Sequence, residues 1–314
     1  MDTDFMTIGF VGFGLIGGSI AKAIKSAHPE YRIIVTSRSL APVQAAKDDE
    51  IADIVTNKID SNFSECDFII LCTPVATISS YLQQLKNVKK ASCIITDVGS
   101  VKGAIHKAAE DAGLSGCFIG GHPMAGSELS GYKNSSAKLL QNAKYVITTT
   151  CDTKKEQLDI YEKLVKDMGA VPIIMDCALH DYSVAGISHL PHLAAAALTK
   201  VVKDCDDKDR HMHLLAAGGF KDTTRIAASS PEMWSQICET NKEAICEMLD
   251  AYINQLSEIR SHIGMDIDIN NRYTRDNNSD ISAKNNNCDA GNRNDMKEYI
   301  EVLFDETRNY RNTF

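Results

Sequence analysis

Apolar and polar positions alternate in blocks over the first 175 residues. Seven short apolar runs have the length and β-branched content of strands, at 7–11, 32–36, 67–72, 93–97, 117–120, 145–150 and 171–175. Segments with a helical period lie between several of them, such as 17–26 and 102–112. Strands that alternate with helices in this way form a largely parallel sheet with helices on both faces. We therefore expect an α/β domain over residues 1–175.

The pattern changes at residue 176. From there the apolar positions follow a helical period over 178–204, 208–218 and 231–264, without strand-like runs. This predicts a separate all-α domain over residues 176–314. Long apolar helices that exceed one small core commonly pack against a second subunit, so we expect a homodimer formed through the helical domain.

Residues 266–295 interrupt the helical pattern. Asparagine recurs throughout this segment, and apolar residues are few. Such a sequence does not bury enough apolar surface to order itself. We therefore expect a disordered Asn-rich loop at 266–295, followed by a return to helical periodicity over 296–310.

The net charge and the cysteine spacing narrow the class of protein. A formal charge of −9 at pH 7 argues against nucleic-acid binding, which requires an excess of Lys and Arg. No apolar run approaches the length of a membrane span, and the N-terminus shows no secretory signal. The ten cysteines contain no C-x-x-C pair, so buried reduced thiols account for them better than disulfides or a metal. We expect a cytoplasmic protein without membrane or nucleic-acid partners.

A G-x-G-x-x-G sequence follows the first predicted strand and opens a helix. Its glycines are Gly12, Gly14 and Gly17, with Leu15 and Ile16 between the last two. The first glycine of this motif permits a tight turn, the second lets the backbone approach a pyrophosphate, and the third allows close helix–strand packing. The helix N-terminus then faces the phosphates with its unpaired N–H groups. This context predicts a Rossmann-type domain that binds a dinucleotide, NAD+ or NADP+.

The end of the second predicted strand bears on which dinucleotide binds. An acidic residue there would bind the ribose 2′-hydroxyl of NAD+, but the chain has Ser37, Arg38 and Ser39 instead. Two hydroxyls beside a guanidinium suit a 2′-phosphate, which slightly favours NADP+ over NAD+. Arg38 would serve equally well as a solvated side chain that stacks on adenine. Thr73 and Pro74 follow another strand and are expected at the same cofactor crevice.

Candidate chemistry centres on the segment 120–128, which reads Gly-Gly-His-Pro-Met-Ala-Gly-Ser-Glu. Glycines and a proline around His122 indicate a loop held in one shape rather than a strand. A histidine presented in this way exchanges a proton near neutral pH. The alternative is a surface loop whose histidine satisfies a local hydrogen bond. Ser100, in the segment Asp-Val-Gly-Ser-Val-Lys, is either a helix N-cap or a pocket residue.

These segments together resemble the prephenate/arogenate dehydrogenase family of tyrosine biosynthesis. The resemblance runs from about residue 6 to 262 and rests on five motifs in the family's order, at 12–18, 97–102, 120–128, 188–192 and 219–227. It implies an NAD(P)-dependent oxidoreductase that decarboxylates a small-molecule substrate oxidatively. A hydride leaves the ring carbon that bears the 4-hydroxyl, and the ring carboxylate leaves as carbon dioxide. Such a reaction needs a base for the hydroxyl proton, cations for the carboxylates and a well-placed nicotinamide.

The resemblance also implies roles for individual residues. His122 would accept the proton of the 4-hydroxyl, and Ser100 would orient that histidine. Arg225 would bind a substrate carboxylate, for which a guanidinium fork has the bidentate geometry that Lys lacks. Lys221 lies four residues earlier and would share a face with Arg225 if the segment is helical. Without the resemblance, both cations could equally belong to a solvated helix face.

Further pocket residues are implied in the helical half. His192 and Ser188 resemble residues that line the pocket near the substrate side chain. His189 and His192 also have the i, i+3 spacing of a metal pair, but no third ligand nearby completes a site, so no metal is expected. Trp234, the single tryptophan, is interpreted as a packing residue rather than a substrate contact.

Prephenate dehydrogenase activity is the leading expectation from the resemblance, and three alternatives to it remain open. Arogenate dehydrogenase acts on a substrate with an amino group in place of the keto group, and the sequence does not distinguish the two. A two-domain dehydrogenase for a β-hydroxyacid would use a lysine-centred site, whereas the candidate chemistry here centres on His122. A non-catalytic dinucleotide sensor would have no need for His122, Ser100 and Arg225 together.

Overall fold

The computed structural model describes residues 5–126, 129–264 and 290–314. The chain divides into two compact units, Met1–Cys246 and Glu247–Phe314. The first unit contains every described strand and most of the helices. The predicted domain boundary at residue 176 lies inside that unit, directly after its last described strand, and as a domain boundary it stays a prediction.

Five parallel strands form the first sheet, in the order β3-β2-β1-β4-β5. The strands are β1 (Thr7–Val11), β2 (Arg32–Thr36), β3 (Ile54–Thr56), β4 (Phe68–Leu71) and β5 (Ile94–Asp97). The connecting and flanking helices are α1 (Leu15–Ala27), α2 (Leu40–Asp48), α3 (Val75–Lys86) and α4 (Gly103–Asp111). Four of these strands match predicted runs. Strand β3 is absent from the predicted set because three residues are too few to show a period.

Apolar side chains cover both faces of the first sheet. Along β1, Ile8 and Phe10 belong to one core cluster and Val11 to a second. Along β2, Ile33 and Ile34 divide in the same way, and these apolar side chains of β1 and β2 are all buried. Successive side chains of a strand point to opposite faces, so each face has its own core beneath packed helices. The predicted α/β Rossmann-type architecture is confirmed.

A second sheet of three strands follows, in the order β6-β7-β8. Its elements are β6 (Gly120–Pro123), β7 (Lys144–Thr148), α5 (Lys155–Asp167) and β8 (Val171–Met175). Strand β7 runs parallel to β8 and antiparallel to β6, which pairs His122 with Val146. The predictions of a strand at 117–120 and of a loop around His122 are therefore wrong. The neighbouring glycine serves close packing instead, because a Cβ at Gly121 would lie 2.7 Å from the Asp97 carbonyl oxygen.

Helices follow β8, as predicted for the all-α part. They are α6 (Cys177–Val184), α7 (Leu190–Cys205), α8 (His211–Leu215), α9 (Gly218–Thr224), α10 (Pro231–Thr240) and α11 (Lys242–Gly264). A π-helical turn (Ala185–His189) joins α6 to α7, and a 3₁₀ turn (Arg225–Ala228) follows α9. The predicted helix at 208–218 is wrong in its extent. Arg210 has a left-handed φ of 58°, which a continuous helix does not allow, and only the short α8 forms there.

The second unit contains the C-terminal part of α11 and helix α12 (Ala290–Arg311). Tyr299 accepts a hydrogen bond from Gln255 Nε2 at 3.2 Å and stacks on His262, with ring centroids 3.8 Å apart. The predicted loop at 266–295 lies largely outside the described residues, but its positions 290–295 belong to α12 and are helical. Within the described ranges, no helix is both long and apolar enough to cross a membrane.

Candidate active site

The glycine loop after β1 leaves room for a ligand. Gly12 has a φ of 85°, and a Cβ there would lie 2.7 Å from the carbonyl oxygen of Cys72. Gly14 faces open space, since no described atom lies within 4 Å of a Cβ built on it. A Cβ at Gly17 would lie 3.2 Å from Cys72 Sγ, so α1 packs closely on the end of β4. The turn and the helix packing are those that the motif predicts.

The start of α1 completes this loop. The helix begins at Leu15, so the N–H groups of Leu15 and Ile16 lie in the first turn, where they have no partner within the helix. Such N–H groups and the helix dipole favour a phosphate. Because β1, β4 and β5 are parallel, their carboxyl ends place Gly12, Thr73 and Ser100 along one edge of the sheet. This edge is where open α/β sheets bind their ligands.

A cavity of about 370 Å³ opens at this edge. Residues predicted to bind the cofactor line it, namely Gly12, Ser37, Arg38, Thr73 and Pro74. The hydroxyl of Thr73 is buried and makes no hydrogen bond to any described residue. Buried polar atoms normally have a partner, so this hydroxyl suits a bound polar ligand. Together with the open space at Gly14, the cavity fits the adenosine half of a dinucleotide.

The same cavity contains a cation that the sequence reasoning missed. Lys58 lines it beside Asn57, just after the short strand β3. No acidic side chain of the described residues lines this cavity. Ser39 lies outside it, as the N-cap residue of α2. The described lining of this cavity therefore carries cationic and hydroxyl side chains and no carboxylate.

A second cavity, of about 570 Å³, brings together distant parts of the chain. Five of the six residues predicted to act on the substrate line it, namely Ser100, His122, Ser188, His192 and Arg225. The sixth, Lys221, is exposed on α9 and does not line the cavity. We call this space the histidine cavity, because His189 also lines it.

A buried ion pair holds His122 at the histidine cavity. Lys102 Nζ bonds the Asp97 carboxylate and donates to the Gly121 carbonyl oxygen at 2.7 Å, and both charged side chains are 0% exposed. The Asp97 carboxylate also accepts the Gly121 N–H at 3.2 Å. Both backbone groups of Gly121 are thus tied to the pair, which fixes the position of the next residue. Lys102 is the N-cap residue of α4, so the N-cap alternative for Ser100 is wrong.

The imidazole of His122 contacts a second histidine that the sequence reasoning missed. Its Nδ1 lies 2.8 Å from Nε2 of His180 on α6, and Nδ1 of His180 lies 2.7 Å from Oδ1 of Asp181. Burial, the positive charge of Lys102 and the neighbouring His180 hold the pKa of His122 well below 6.5. His122 is therefore neutral near pH 7 and able to accept a proton.

The π-helical turn forms another wall of the histidine cavity, and such turns are frequent at functional sites. Nδ1 of His192 lies 2.8 Å from the Ser188 carbonyl oxygen, so Nδ1 carries the hydrogen and donates it. The His192 ring packs on Trp234 with centroids 4.2 Å apart. Trp234 Nε1 is buried and has no hydrogen-bond partner among the described residues. Trp234 therefore packs on His192 and also lines the cavity, and its interpretation as a packing residue rather than a substrate contact stays a prediction.

His189 is fixed at the same wall by Asn241. The Asn241 side-chain amide donates to the Asp181 carbonyl oxygen at 2.8 Å and lies 3.1 Å from Nδ1 of His189. Burial lowers the pKa of His189 to about 4, so this ring is neutral near pH 7. Since Nδ1 accepts from Asn241, the proton is on Nε2. Within the described ranges, no three His, Cys, Asp or Glu side chains are placed to hold a metal ion.

The charge of the histidine cavity favours an anionic ligand. Arg225 is the first residue of the 3₁₀ turn and carries the one guanidinium among the described lining residues. No acidic side chain of the described part of the chain lines this cavity. A carboxylate bound there would form charge-assisted hydrogen bonds with Arg225.

Comparison with known proteins agrees with this geometry. The family model for the nucleotide-binding domain of prephenate dehydrogenase matches residues 20–174, and the model for its dimerization domain matches residues 176–273. Prephenate dehydrogenase of Bacillus subtilis is 37% identical over 259 residues, which cover 82% of this chain and 70% of that protein. Both halves of the chain are therefore similar to the same kind of enzyme.

Solved structures show the same similarity. Prephenate dehydrogenase from A. aeolicus, in complex with hydroxyphenyl propionate and NAD+, aligns with a TM-score of 0.79 at 32% identity, covering 84% of this chain and 93% of that one. Synechocystis arogenate dehydrogenase aligns with a TM-score of 0.74 at 33% identity, covering 83% and 92%. With both family models matched in order, and with a glycine loop and a histidine cavity of fitting geometry, the chain belongs to the prephenate dehydrogenase family.

Proposed function

We propose that this protein is a prephenate dehydrogenase, which converts prephenate to 4-hydroxyphenylpyruvate and carbon dioxide in tyrosine biosynthesis. The observation that carries the proposal is the neutral, half-buried His122 in a cavity that also contains Arg225 and has no acidic side chain in its described lining. The class of enzyme, a nicotinamide-dependent oxidoreductase, follows from the family.

His122 and Ser100 act on the 4-hydroxyl of the substrate in this proposal. His122 accepts the hydroxyl proton while the hydrogen on the same carbon leaves as a hydride, and Ser100 orients His122. A bound nicotinamide supplies the acceptor for that hydride. Loss of the ring carboxylate then gives an aromatic phenolate, which takes the proton back from His122.

Arg225 binds a carboxylate of the substrate, with His192 and Ser188 beside the substrate side chain. Among the described residues, no acidic side chain lines the cavity to pair with an ammonium group, which supports prephenate over arogenate. Lys221 lies outside the cavity, so its predicted contact with the substrate has no support from the lining.

We further propose a preference for NADP+ over NAD+. Arg38 and Lys58 both line the cavity of about 370 Å³ with Ser37, and no acidic side chain of the described residues is present there to bind a 2′-hydroxyl and repel a phosphate. The A. aeolicus relative was solved with NAD+, so both dinucleotides belong in the test.

A homodimer is part of the proposal, with the helical half as its contact surface. The matched dimerization domain supports it. Large apolar side chains are also exposed on several helices, namely Leu214 and Leu215 on α8, Ile253 and Leu256 on α11, and Phe304 on α12. Exposed apolar surface of this kind marks contacts between subunits. The nine described cysteines are free thiols, which supports a cytoplasmic location.

The experiment that tests the function is the appearance of reduced nicotinamide absorbance with purified protein. Prephenate and arogenate are each combined with NAD+ and NADP+. Turnover with prephenate, faster with NADP+, is the expected result. Turnover with arogenate alone would replace the proposed substrate. Cofactor binding without turnover in all four pairings would instead indicate a non-catalytic dinucleotide sensor.

A further inference from the structure

We propose that His180 and Asp181 form a buried proton relay behind His122, which holds the substrate hydroxyl proton between hydride transfer and rearomatisation. This inference rests on the proposed function, because it assigns the path of the proton in that reaction. It gives His180 the role of a positioning residue that acts through His122.

The relay starts from a carboxylate whose surroundings fix its charge. Asp181 Oδ1 accepts the Lys102 N–H at 2.7 Å, and Oδ2 accepts the Gly103 N–H at 2.8 Å. Burial alone would raise the pKa of Asp181, but hydrogen bonds from His180 and from these two backbone N–H groups hold it below its usual value. Asp181 is therefore ionised and accepts hydrogen bonds without donating any.

The ionised carboxylate sets the tautomers of both histidines. His180 Nδ1 lies 2.7 Å from the Asp181 carboxylate, so this nitrogen carries a hydrogen and donates it. A neutral His180 then has its lone pair on Nε2, 2.8 Å from His122 Nδ1. His122 must donate from Nδ1, which leaves the lone pair on Nε2 for the substrate hydroxyl. Asp181, acting through His180, thus fixes His122 in the tautomer that a base needs, with the hydrogen on Nδ1.

The proton balance of the reaction suits a closed relay. As the ring carbon loses its hydride, the hydroxyl O–H bond breaks and its proton moves to His122 Nε2. The Nδ1 proton of His122 moves to His180 Nε2, which makes His180 the cation. After carbon dioxide leaves, both transfers reverse and the phenolate oxygen regains its proton. No net proton leaves the site, which agrees with a His180 side chain only 1% exposed.

Electrostatics favour the charge on His180 over His122. A cation on His122 is opposed by the positive charge of Lys102, whereas a cation on His180 lies against the Asp181 carboxylate. Lys102 itself is paired with Asp97. His106 and His189 also interact electrostatically with His180, and burial lowers the pKa of each. Both are neutral near pH 7 and do not compete for the proton.

The test compares His180→Gln with a matched control, His106→Gln. Glutamine at 180 still accepts a hydrogen bond from His122 but cannot carry a proton. We expect kcat to fall by about 100-fold with KM changed less than about threefold. The acidic limb of kcat/KM should also move to lower pH, because His122 alone must then bear the charge. His106 contacts Thr148 at 2.7 Å instead of the relay, so its variant should keep both quantities.

An unchanged kcat in His180→Gln, or an equal loss in His106→Gln, would overturn the relay. Because His180 is buried and its variant can lose stability, a second measurement uses the wild-type protein labelled with ¹⁵N-histidine. The relay requires a protonated, pyrrole-type Nδ1 on His122, with signals assigned by their loss in His122→Asn. A pyridine-type Nδ1 would refute it. Wild-type protein without turnover would refute the proposed function instead, since the ¹⁵N measurement does not depend on activity.

Discussion

The buried pair of Lys102 and Asp97 allows a quantitative test of what holds the active site together. Both side chains are 0% exposed, and Lys102→Met would remove the ammonium while leaving the Asp97 carboxylate in the interior. The Gly99 and Gly121 N–H groups still donate to that carboxylate, at 2.8 and 3.2 Å. The Gly121 carbonyl oxygen loses its partner. Removing one member of a buried pair costs about 3–5 kcal/mol, so we expect a loss of unfolding free energy in that range.

The assay is urea unfolding followed by far-UV circular dichroism, with the change in free energy taken from the midpoint and slope. Lys107→Met is the matched control, because Lys107 on α4 forms an exposed pair with Asp111. Such a surface pair contributes roughly 0–1 kcal/mol. The double variant Asp97→Asn with Lys102→Met should recover part of the loss, since it leaves no buried charge. A loss for Lys102→Met no larger than for Lys107→Met would refute the reasoning.

Three further predictions concern the sites. His122→Asn should lower kcat by about 10²–10⁴-fold with little change in KM, whereas Arg225→Ala should mainly raise KM. Steady-state kinetics in which both variants behave like the wild type would contradict the assigned roles. Replacing Arg38 or Lys58 by Ala should lower kcat/KM for NADP+ by about 10-fold or more and leave that for NAD+ nearly constant, since each removes a charge-assisted hydrogen bond. The folded-state pKa of His189, about 4, is below its unfolded value of 6.5, so the unfolded state binds more protons between these pH values. The unfolding free energy should therefore decrease as the pH is lowered, by about 2 kcal/mol from this group between pH 7 and 5. A His189→Gln variant with the same dependence of unfolding free energy on pH would contradict this.

The sequence was sufficient at the glycine loop, where the structural requirement is local. The glycine loop at 12–17 is predictable because a tight turn and a close approach each demand glycine at a fixed spacing. The same reasoning failed at Gly121, where glycine is required by a neighbouring strand and not by a turn. Sequence alone does not distinguish a glycine required by a turn from one required by close packing, since the packing depends on which residue of another strand lies against it.

The relay residues and Lys58 show the second limit. His180 and Asp181 are adjacent in sequence on α6, but the contact of His180 with His122 joins residues 58 positions apart. Two adjacent titratable residues in this short helix were the signal in the sequence that could have identified a functional pair. Lys58 follows strand β3, which is too short to be recognised from the sequence, so the sequence could not place Lys58 at the cavity of about 370 Å³. The His189 side chain fits a metal pair by spacing, yet in the structure its Nδ1 is satisfied by Asn241.

The position of Trp234 gives the protein its own optical reporter. The chain has one tryptophan, and its indole lines the histidine cavity against the His192 ring. Emission from a single indole is free of overlapping signals, and it responds to the polarity and charge of the groups in contact with it. A ligand that enters the cavity changes both, so fluorescence will follow its arrival in the unlabelled protein. Reduced nicotinamide absorbs where tryptophan emits, so energy transfer in the same sample will report occupancy of the cofactor site.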